Sequence, residues 1–533
     1  MELSKLLSLA QNYRKEREWE KAIECYEQYL QECKDMPPFS VYKNYAQSLI
    51  RKGDINRAKE ILLKAKEVFP NNERVLIEIY KLYDFIGEWE NAKIEVNELI
   101  TLNPGKSEYY FLLGRIYSFL DSYKEAKNIY KKGIECRHNC SIEEVINRIQ
   151  CGITNNPTEI KTEYVLSGGR NNYGAFIHNI GEKKFFTKIT NFGTRDARRE
   201  EAFYKDISMT YPALRKLVPQ FVDSKVIDNV LYLTSEMIEE TPISSEQLMD
   251  VINAMQRVST IKSSKIVEKY PNPNYLFQMK SRAISIVIFF TQIHKRSYNE
   301  QLFKLLYKLL NQNNYPKSVI HIINRLEALI MDNKLYALIN PEEHYSLLHG
   351  DMIKPNIKND GKEKDIKIFD WATFTTGPHF IDIARYLSDL LIPYSEIKDL
   401  YLNNPDTGEN LSIVEKIFFN YSLILLYIMR LKEKDVEKRL NDCILPCLTD
   451  LEFLIENLDI SYYKNAIQRL SLEKEEVESS NAQLEEQLLK LEKNFKEINK
   501  VNKSMRIRHE NMINSKSWKL TKPLRKLIER KKK

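Results

Sequence analysis

The hydrophobic pattern of the first 150 residues repeats with a period of about 34 residues. Small residues recur at Ala22, Ala58, Ala92 and Ala126, which lie 36, 34 and 34 positions apart. Apolar or small residues keep the same spacing at fixed positions before and after each alanine. Two antiparallel helices approach closely only where side chains are small, and each pair buries its apolar stripe by stacking on the next. The pattern therefore predicts four stacked helical hairpins in residues 1–150.

Proline positions support this repeat. Pro70 and Pro104 close the second and third units, twelve residues after the alanine of each unit. A period of this kind resembles the tetratricopeptide repeat. The resemblance implies an all-α superhelix whose concave face binds a protein partner. The first unit lacks its proline and the fourth has Gly133 at a position expected to be small and apolar, so a generic helical bundle is the alternative interpretation.

A polar linker over 151–157 ends the repeat, and the period then shortens to that of strands. The predicted strands and the one helix among them are Tyr164–Ser167, Ala175–Asn179, Lys184–Ile189, helix Arg195–Ser208, Val218–Asp223, Lys225–Ile227 and Val230–Ser235. Beyond Ser244 the pattern is mainly helical to about Leu458. We therefore expect an α+β domain over 160–458.

A seven-residue spacing of apolar residues begins at Leu470. It continues through Val477, Leu484, Leu491, Ile498, Met505 and Met512. Leu488 and Phe495 fill the partner position, where polar residues such as Asn481 fix register and oligomer number. The spacing predicts a parallel, α-helical coiled coil over 465–514 and hence a homo-oligomer. A single long solvated helix that folds back on the body is the alternative.

The formal net charge of +7 is concentrated at the carboxyl end. Ser515–Lys533 contains nine Lys or Arg and one Glu, a local charge of +8, which leaves the rest of the chain near neutral. This distribution argues against a nucleic-acid surface on the globular part, and it predicts a tail that meets something anionic.

The order of residues in this tail, S-x-S-W-K-x-T-x-P-x-R from Ser515, is similar to the end of many bacterial enzymes of surface-polysaccharide assembly. Trp518 and the neighbouring leucines can enter the headgroup boundary of a bilayer while the cations face anionic lipid. We therefore expect a basic amphipathic tail over 515–533 that touches an anionic membrane surface. A solvated or nucleic-acid-binding tail is the alternative.

Cysteine usage and the apolar runs indicate where the protein resides. Seven cysteines are spread thinly over 533 residues, which is typical of free thiols in a reducing cytosol. The amino terminus has charges throughout, unlike a secretory signal. The runs Ala283–Ile293 and Ile417–Leu431 fall short of the roughly 20 residues that span a bilayer, so we expect buried core helices. These features predict a cytoplasmic protein, peripheral at the inner face of the plasma membrane.

The strongest chemical signal is His349-Gly350-Asp351 with Asn356 five residues after the aspartate, followed by a short alternating strand that ends at Asp370. Phosphoryl transfer needs a carboxylate to receive the proton of the acceptor hydroxyl and oxygen ligands for the Mg²⁺ that bridges the phosphates. An H-x-D-x-x-x-x-N loop with a following aspartate supplies these groups.

With Asp370-Trp371 and the later stretch Gly377–Ala384, this loop resembles the aminoglycoside phosphotransferase and choline kinase superfamily. The resemblance spans about Glu163 to Leu458 and implies a bilobal kinase-like domain that uses ATP and Mg²⁺. Thr373 departs from it, since many relatives have an acidic residue there.

Roles carry over from this resemblance position by position. Asp351 would be the catalytic base, and Asn356 and Asp370 would be the Mg²⁺ ligands. His349 would brace the loop, and Asp382 would order it from behind.

The same resemblance requires a lysine on a strand, paired to a glutamate on the next helix and facing the nucleotide phosphates. Lys188 fits best, ahead of Lys183 and Lys184, and Glu201 is the preferred partner ahead of Glu200. Gly168 and Gly169 lie where a phosphate-covering loop belongs, because backbone N–H groups approach phosphates only where side chains are small.

Three functions follow as expectations. The first is a Mg-ATP-dependent phosphotransferase acting on a hydroxyl of a small molecule or sugar, in bacterial surface-polysaccharide assembly. The second is an inactive kinase-like scaffold that binds partners through its repeats. The third, an aminoglycoside or choline kinase, is weakened because a soluble detoxifying enzyme has no need of the repeats, coil and tail.

Overall fold

The computed structural model describes residues 3–471 except 17, 151–159, 167–171, 272–290, 313–314, 362–364, 409–410, 430, 432–435 and 470. The chain divides into two compact units, Met1–Glu456 and Asn457–Lys533. In the second unit, the described residues include a helix over 460–469. The coiled coil predicted over 465–514 lies almost wholly outside the described residues, and the tail over 515–533 lies entirely outside them.

Helices pair into hairpins along the repeats, as the 34-residue period predicts. Their bounds are α1 Leu3–Lys15, α2 Trp19–Glu32, α3 Phe39–Lys52, α4 Ile55–Val68, α5 Glu73–Ile86, α6 Trp89–Leu102, α7 Ser107–Phe119 and α8 Tyr123–His138. The alanines that define the repeat are fully buried at Ala22, Ala58, Ala92 and Ala126. In the fourth hairpin a Cβ on Gly114 would lie 2.9 Å from the Tyr130 ring, so only glycine fits this helix crossing. The small residues thus set the distance between paired helices.

A further short helix, α9 Ile142–Gln150, leads from the repeats to a five-stranded antiparallel sheet in the described chain. The strands are β1 Lys161–Val165, β2 Asn172–Ile180, β3 Lys183–Asn191, β4 Phe221–Ile227 and β5 Val230–Glu236. Their order in the sheet is β1-β2-β3-β5-β4. Strand β3 therefore lies in the middle, paired with β2 and β5.

One strand prediction was wrong. Val218–Asp223 and Lys225–Ile227 were expected as separate strands, but β4 runs without a break from Phe221 and only its pairing to β5 shifts there. Asp228 and Asn229 then turn the chain with positive φ angles of 47° and 64°. A two-residue hairpin needs this backbone conformation, because its twist must match that of the strands.

The helix predicted at Arg195–Ser208 is present but irregular. It begins as α10 Arg195–Ala202, where the Thr194 side chain accepts a hydrogen bond from the Ala197 N–H at 3.3 Å. It continues as a π-helical turn at Phe203–Ile207 and ends at Thr210. Such turns are often found at functional sites.

The remaining part of the first unit is mainly helical, with short strands between the helices. The elements are β6 Glu240–Thr241, α11 Leu248–Ser259, α12 Ser263–Lys269, α13 Arg296–Gln312, α14 Lys317–Asp332, α15 Pro341–His344, β7 Tyr345–Leu348, β8 Ile357–Asp360, β9 Ile366–Ile368, β10 Thr375–Pro378, α16 Ile381–Leu390, α17 Tyr394–Ile397, α18 Ile413–Met429, α19 Val436–Arg439 and α20 Leu445–Glu456. Strand β7 pairs with β10, and β8 lies between β6 and β9.

The predicted repeat domain and the predicted α+β domain belong to one compact unit. Buried residues of α7 to α9 and of the sheet form a single hydrophobic cluster that includes Phe111, Tyr130, Phe176 and Tyr232. The rings of Phe111 and Tyr173 stack with centroids 3.6 Å apart. Since two apolar surfaces are removed from water together, the repeats and the sheet are held as one body rather than as two tethered domains.

A hydrogen-bonded chain of side chains crosses the sheet from the end of α9. Gln150 donates to Thr162 at 2.7 Å, Thr162 contacts His178 at 2.8 Å, and His178 contacts Thr187 at 2.9 Å. Thr187 contacts Thr234 at 2.8 Å. Burial lowers the pKa of His178 to about 4, so this imidazole is neutral at physiological pH and can donate to one neighbour and accept from another. The chain satisfies polar groups inside an otherwise apolar sheet.

Helix α18 is buried along most of its length, as expected for the apolar run that begins at Ile417. The other run, Ala283–Ile293, lies largely outside the described residues. Among the helices that the structure describes, we find none with the length and apolar character required to cross a bilayer.

Removing the Phe111 ring is expected to destabilise the whole first unit. Phe111 is only 4% exposed, and truncating a buried phenylalanine to alanine typically costs about 3 kcal/mol or more. Ile94→Ala is the control, because Ile94 is 59% exposed and should cost less than about 1 kcal/mol. Urea unfolding followed by circular dichroism measures both variants. Equal losses would mean that the repeat–sheet contact contributes no particular stability.

Candidate active site

A buried lysine joins the sheet, the next helix and the segment after β9. Lys188 lies in the middle of β3, opposite Ala175 of β2 and Leu233 of β5. Its Nζ is 2.8 Å from Glu200 Oε1 and 2.8 Å from Asp370 Oδ1. Burial disfavours the charge on Lys188, but the two carboxylates outweigh this effect and raise its pKa. Lys188 therefore remains a cation held between two anions.

The prediction that Glu201 is the preferred partner of Lys188 was wrong, because Glu200 forms the ion pair. Glu201 instead accepts from Lys205 at 2.9 Å and from Ser224 at 2.7 Å. Neighbouring residues on a helix point about 100° apart, so only one of the two glutamates can face β3. Glu200 is the one, with a side chain only 4% exposed.

Asp370 has an unusual backbone conformation, with a φ of 60°. The charge of Lys188 lowers the pKa of its carboxyl group. The next residue, Trp371, is buried, donates its indole N–H to the Ile368 carbonyl at 3.0 Å and stacks on Phe203 with ring centroids 4.0 Å apart. Since Phe203 follows α10 directly, this stack joins the helix that carries Glu200 to the segment that carries Asp370.

The β8–β9 hairpin brings the two predicted metal ligands close in space. Ile357 pairs with Ile368, so Asn356 lies just before one strand and Asp370 just after the other. The Phe369 N–H donates to the Asn356 carbonyl at 2.9 Å. The hairpin register thus joins the loop that contains Asn356 to the residue that precedes Asp370.

The loop before this hairpin is held by its own hydrogen bonds. The Asn356 side-chain amide donates to the Asp351 carbonyl at 2.8 Å. His349 lies 2.7 Å from the Phe369 carbonyl through Nε2 and accepts from the Asp351 N–H at 3.2 Å through Nδ1. Because a carbonyl can only accept and an N–H can only donate, Nε2 of His349 carries the proton. His349 therefore ties the loop to the strand end, as a bracing residue should.

Asp382 supports the loop from behind. Its carboxylate accepts from the His349 N–H at 2.6 Å and from the Gly350 N–H at 3.1 Å. Burial raises the pKa of this carboxyl group. Gly350 has a φ of 85°, a conformation that glycine adopts without steric cost. The two N–H groups can therefore both point at one carboxylate.

The turn that precedes Asp382 is itself anchored. His379 Nε2 lies 3.0 Å from Glu415 Oε1, at the start of α18. Burial opposes ionisation of Glu415, but hydrogen bonds from His379 and Ser412 outweigh it and lower its pKa to about 2. The carboxylate at the first turn of α18 thus fixes the entry to α16.

Asp370 and Asn356 fit a magnesium site by their donor chemistry. Asn356 uses its NH₂ group within the loop, which leaves its amide oxygen as the possible ligand atom. Mg²⁺ is commonly bound by one or two protein oxygens together with substrate phosphates. Among the described residues, no three His, Cys, Asp or Glu side chains gather as a metal cage, so a metal here would depend on the phosphates for its other ligands.

Two of the predicted site residues lie outside the described part of the chain, whereas Thr373, which departs from the kinase resemblance, has a structural role. Gly168 and Gly169 lie outside the described residues. The kinase resemblance also implies that Ser235–Ile238 contacts adenine; this segment begins at the end of β5, and its Met237 N–H donates to the Lys184 carbonyl at 3.0 Å. The Thr373 hydroxyl donates to the His349 carbonyl at 3.2 Å, so this residue stabilises the loop that contains Asp351.

Sequence reasoning missed two arginines. Arg199 donates twice to the Phe374 carbonyl, at 3.2 and 2.6 Å, and its guanidinium lies 4.1 Å from the Phe374 ring centroid. Arg385 lies 3.3 Å from the Asp351 carboxylate. Arg385 directly follows the Gly377–Ala384 motif, so that motif could have directed attention to this arginine.

A family model for the tetratricopeptide repeat matches residues 39–72 and 107–137. The chain carries tetratricopeptide repeats at its amino terminus. Such repeats indicate a protein-binding role for this part of the molecule. The match lies within the first 150 residues, where the helical hairpins lie.

Solved structures of repeat proteins are also similar to this chain. MamA 41-end from Desulfovibrio magneticus RS-1 is 16% identical, and the alignment covers 25% of this chain and 75% of that chain with a TM-score of 0.23. YrrB, described as a TPR protein with an unusual peptide-binding site, is 15% identical, with coverages of 25% and 69% and a TM-score of 0.23. A tetratricopeptide repeat protein from Parabacteroides merdae is 21% identical, with coverages of 27% and 54% and a TM-score of 0.24. No curated protein matches the chain.

Replacing each glutamate separately distinguishes the two candidates for the ion pair. Glu200→Gln should lower the free energy of unfolding by about 2 kcal/mol or more, because it leaves buried Lys188 with one anion. Glu201→Gln should cost less than about 1 kcal/mol, because Lys205 is exposed and the glutamine can still accept from Ser224. Urea unfolding at neutral pH measures both losses. A larger loss for Glu201→Gln would contradict the observed pairing.

Proposed function

We propose that residues 160–458 form a kinase-like phosphotransferase that moves the γ-phosphoryl group of ATP to a hydroxyl of a small molecule or sugar. One observation carries the proposal. Lys188 lies between Glu200 and Asp370 at 2.8 Å from each, and the hairpin beside Asp370 begins at the loop of Asp351 and Asn356. These are the side chains that phosphoryl transfer needs in one place.

Each group has a defined task in this proposal. Lys188 binds the nucleotide phosphates, and Glu200 keeps the lysine aimed at them. Asp351 accepts the proton of the acceptor hydroxyl as its oxygen attacks the γ-phosphorus, and the bond from that phosphorus to the β,γ-bridging oxygen breaks and releases ADP. Asp370 and Asn356 would hold Mg²⁺, which supplies charge neutralisation at the phosphates when bound. Because Asp370 contacts Lys188 directly, its carboxylate would serve both the lysine and a bound metal ion.

The elements around the site support the same proposal. The central strand supplies the lysine, the following helix supplies the glutamate, and two separate segments supply the base and the metal ligands. The aromatic stack of Phe203 on Trp371 and the double hydrogen bond from Arg199 both join that helix to the segment after Asp370. The ion pair is therefore assembled by the fold itself.

The remaining segments suggest where the enzyme works. The repeats would dock a protein partner, and the coil over 465–514 would make a homo-oligomer. The tail over 515–533 would touch an anionic membrane from the cytoplasmic side, where several tails in one oligomer multiply weak binding. A sugar of surface-polysaccharide assembly is the acceptor that fits this location.

An inactive scaffold is the second candidate, and an aminoglycoside or choline kinase is the third. A scaffold would bind nucleotide without transferring phosphate, yet it would have no need of an aspartate at position 351 or of Arg385 beside it. A soluble kinase for small cationic alcohols would have no need of the repeats, coil and tail. Both candidates are therefore less favoured than a membrane-associated sugar kinase.

Asp351→Ala is expected to lower ATP turnover by about 100- to 10,000-fold, because general-base catalysis contributes about that much and the loop keeps its other contacts. Binding of Mg·ATP should change less than about threefold, since Lys188 and Asp370 remain. Product formation with sugars, lipid-linked sugars and amino alcohols measures turnover, and calorimetry measures binding. A wild-type protein that binds Mg·ATP but transfers phosphate to none of these acceptors would favour the inactive scaffold.

The tail is expected to recruit the full chain to anionic vesicles. Each Lys or Arg near such a surface adds about 1 kcal/mol of attraction, so a chain without 515–533 should remain unbound. Flotation with phosphatidylglycerol vesicles at low and high salt measures the difference, and zwitterionic vesicles are the control. Binding that persists after the deletion would remove the anchor from the proposal.

A further inference from the structure

Three polar side chains on one face of α16 contact the loop over residues 349–356, which contains Asp351. Asp382, Arg385 and Asp389 are three and four positions apart, a spacing that places them on the same side of a helix. Asp382 accepts from the N–H groups of His349 and Gly350, as described above. Asp389 accepts from the Lys354 N–H at 2.9 Å. The loop therefore lies along this helix face from its beginning to its far end.

The middle side chain differs from the other two because it contacts a side chain instead of the backbone. Arg385 Nη2 lies 3.3 Å from Asp351 Oδ1. The arginine side chain is 17% exposed, while that of Asp351 is 38% exposed. Among the described residues, this carboxylate is the side-chain partner of the Arg385 guanidinium. A nearly buried cation thus restrains a half-exposed anion.

We propose that Arg385 is a positioning residue, which holds the Asp351 carboxylate in the orientation that receives the acceptor's proton. The inference rests on the proposed function, because it assigns Arg385 to the same phosphoryl transfer. It adds a residue that the motif around Asp351 does not contain.

Two of the three contacts hold the loop backbone and one holds the Asp351 side chain, and this difference gives Arg385 a role beyond folding. Asp382 and Asp389 hold the backbone of the loop at both ends, so the loop should keep its path when Arg385 is replaced. The Asp351 side chain would then lose its restraint and rotate about its own bonds. The effect should therefore fall on the chemical step rather than on nucleotide binding, which depends on Lys188 and Asp370.

The test compares Arg385→Ala and Arg385→Lys with wild-type full-length protein, with Mg·ATP hydrolysis to water as the reaction. Arg385→Ala should lower kcat by about 100-fold, the usual effect of misplacing a reacting group by about 1 Å. Its KM for ATP should change less than about twofold. Arg385→Lys should retain activity within about tenfold of wild type, because the cation remains while the planar fork is lost.

Chemical rescue separates positioning from a structural role. Guanidinium ion, added to Arg385→Ala well below unfolding concentrations, should restore part of kcat, because it can occupy the vacated place beside Asp351. The matched control is Arg325→Ala, which removes an arginine paired to Glu452 at 2.5 Å on other helices. This control should show wild-type kcat and no response to guanidinium.

The outcomes are distinguishable. A wild-type protein that is inactive with water and with every acceptor tested above would remove the proposed function and this inference with it. An active wild type with an Arg385→Ala variant of unchanged kcat would overturn the inference alone. So would a folded variant, with a wild-type thermal midpoint, whose lost activity guanidinium does not restore, or one that loses ATP affinity instead of kcat.

Discussion

The cation of Lys188, held between two carboxylates in the middle of the sheet, depends on three separate parts of the fold. A buried charge is tolerated only when its partners are close and fixed. Glu200 is fixed by α10, which Arg199 and Phe203 fasten to the segment after Asp370. Asp370 is fixed by the β8–β9 hairpin. A displacement of either carboxylate would leave buried Lys188 with one anion instead of two, which opposes local distortion of the site.

The support for this arrangement extends outward in two directions. On one side, α16 orders the loop over residues 349–356, and the contact between His379 and Glu415 fixes the beginning of α16. On the other side, the helices α7 to α9 cover the sheet that contains Lys188. Gln150, Thr162 and His178 satisfy the polar groups within that contact. The repeats are thus part of the structure that positions the lysine, in addition to any partner they bind.

Periodic features could be predicted from the sequence, and so could the support of the His349 loop by Asp382, whereas contacts that no repeat or motif specifies could not. The hairpins follow from small residues about 34 positions apart, since helix crossings need small side chains wherever they occur. Choosing between Glu200 and Glu201 required knowing which face of α10 meets β3, and the local pattern does not contain that information. The contact of Arg385 with Asp351 joins residues 34 positions apart in the chain and depends on the rotation of α16 about its axis. The docking of Phe111 on Tyr173 likewise brings together two apolar surfaces from different elements.

This docking also limits how the array of repeats can vary in length. A stack of helical hairpins must end in a cap, because its last hairpin otherwise exposes an apolar face. Here the sheet covers the fourth hairpin and serves as that cap. An inserted hairpin next to the sheet would have to recreate the surface around Phe111 and Tyr130, whereas one added before α1 would need only to match its neighbour. Changes in repeat number are therefore far easier to accommodate at the end of the array remote from Lys188.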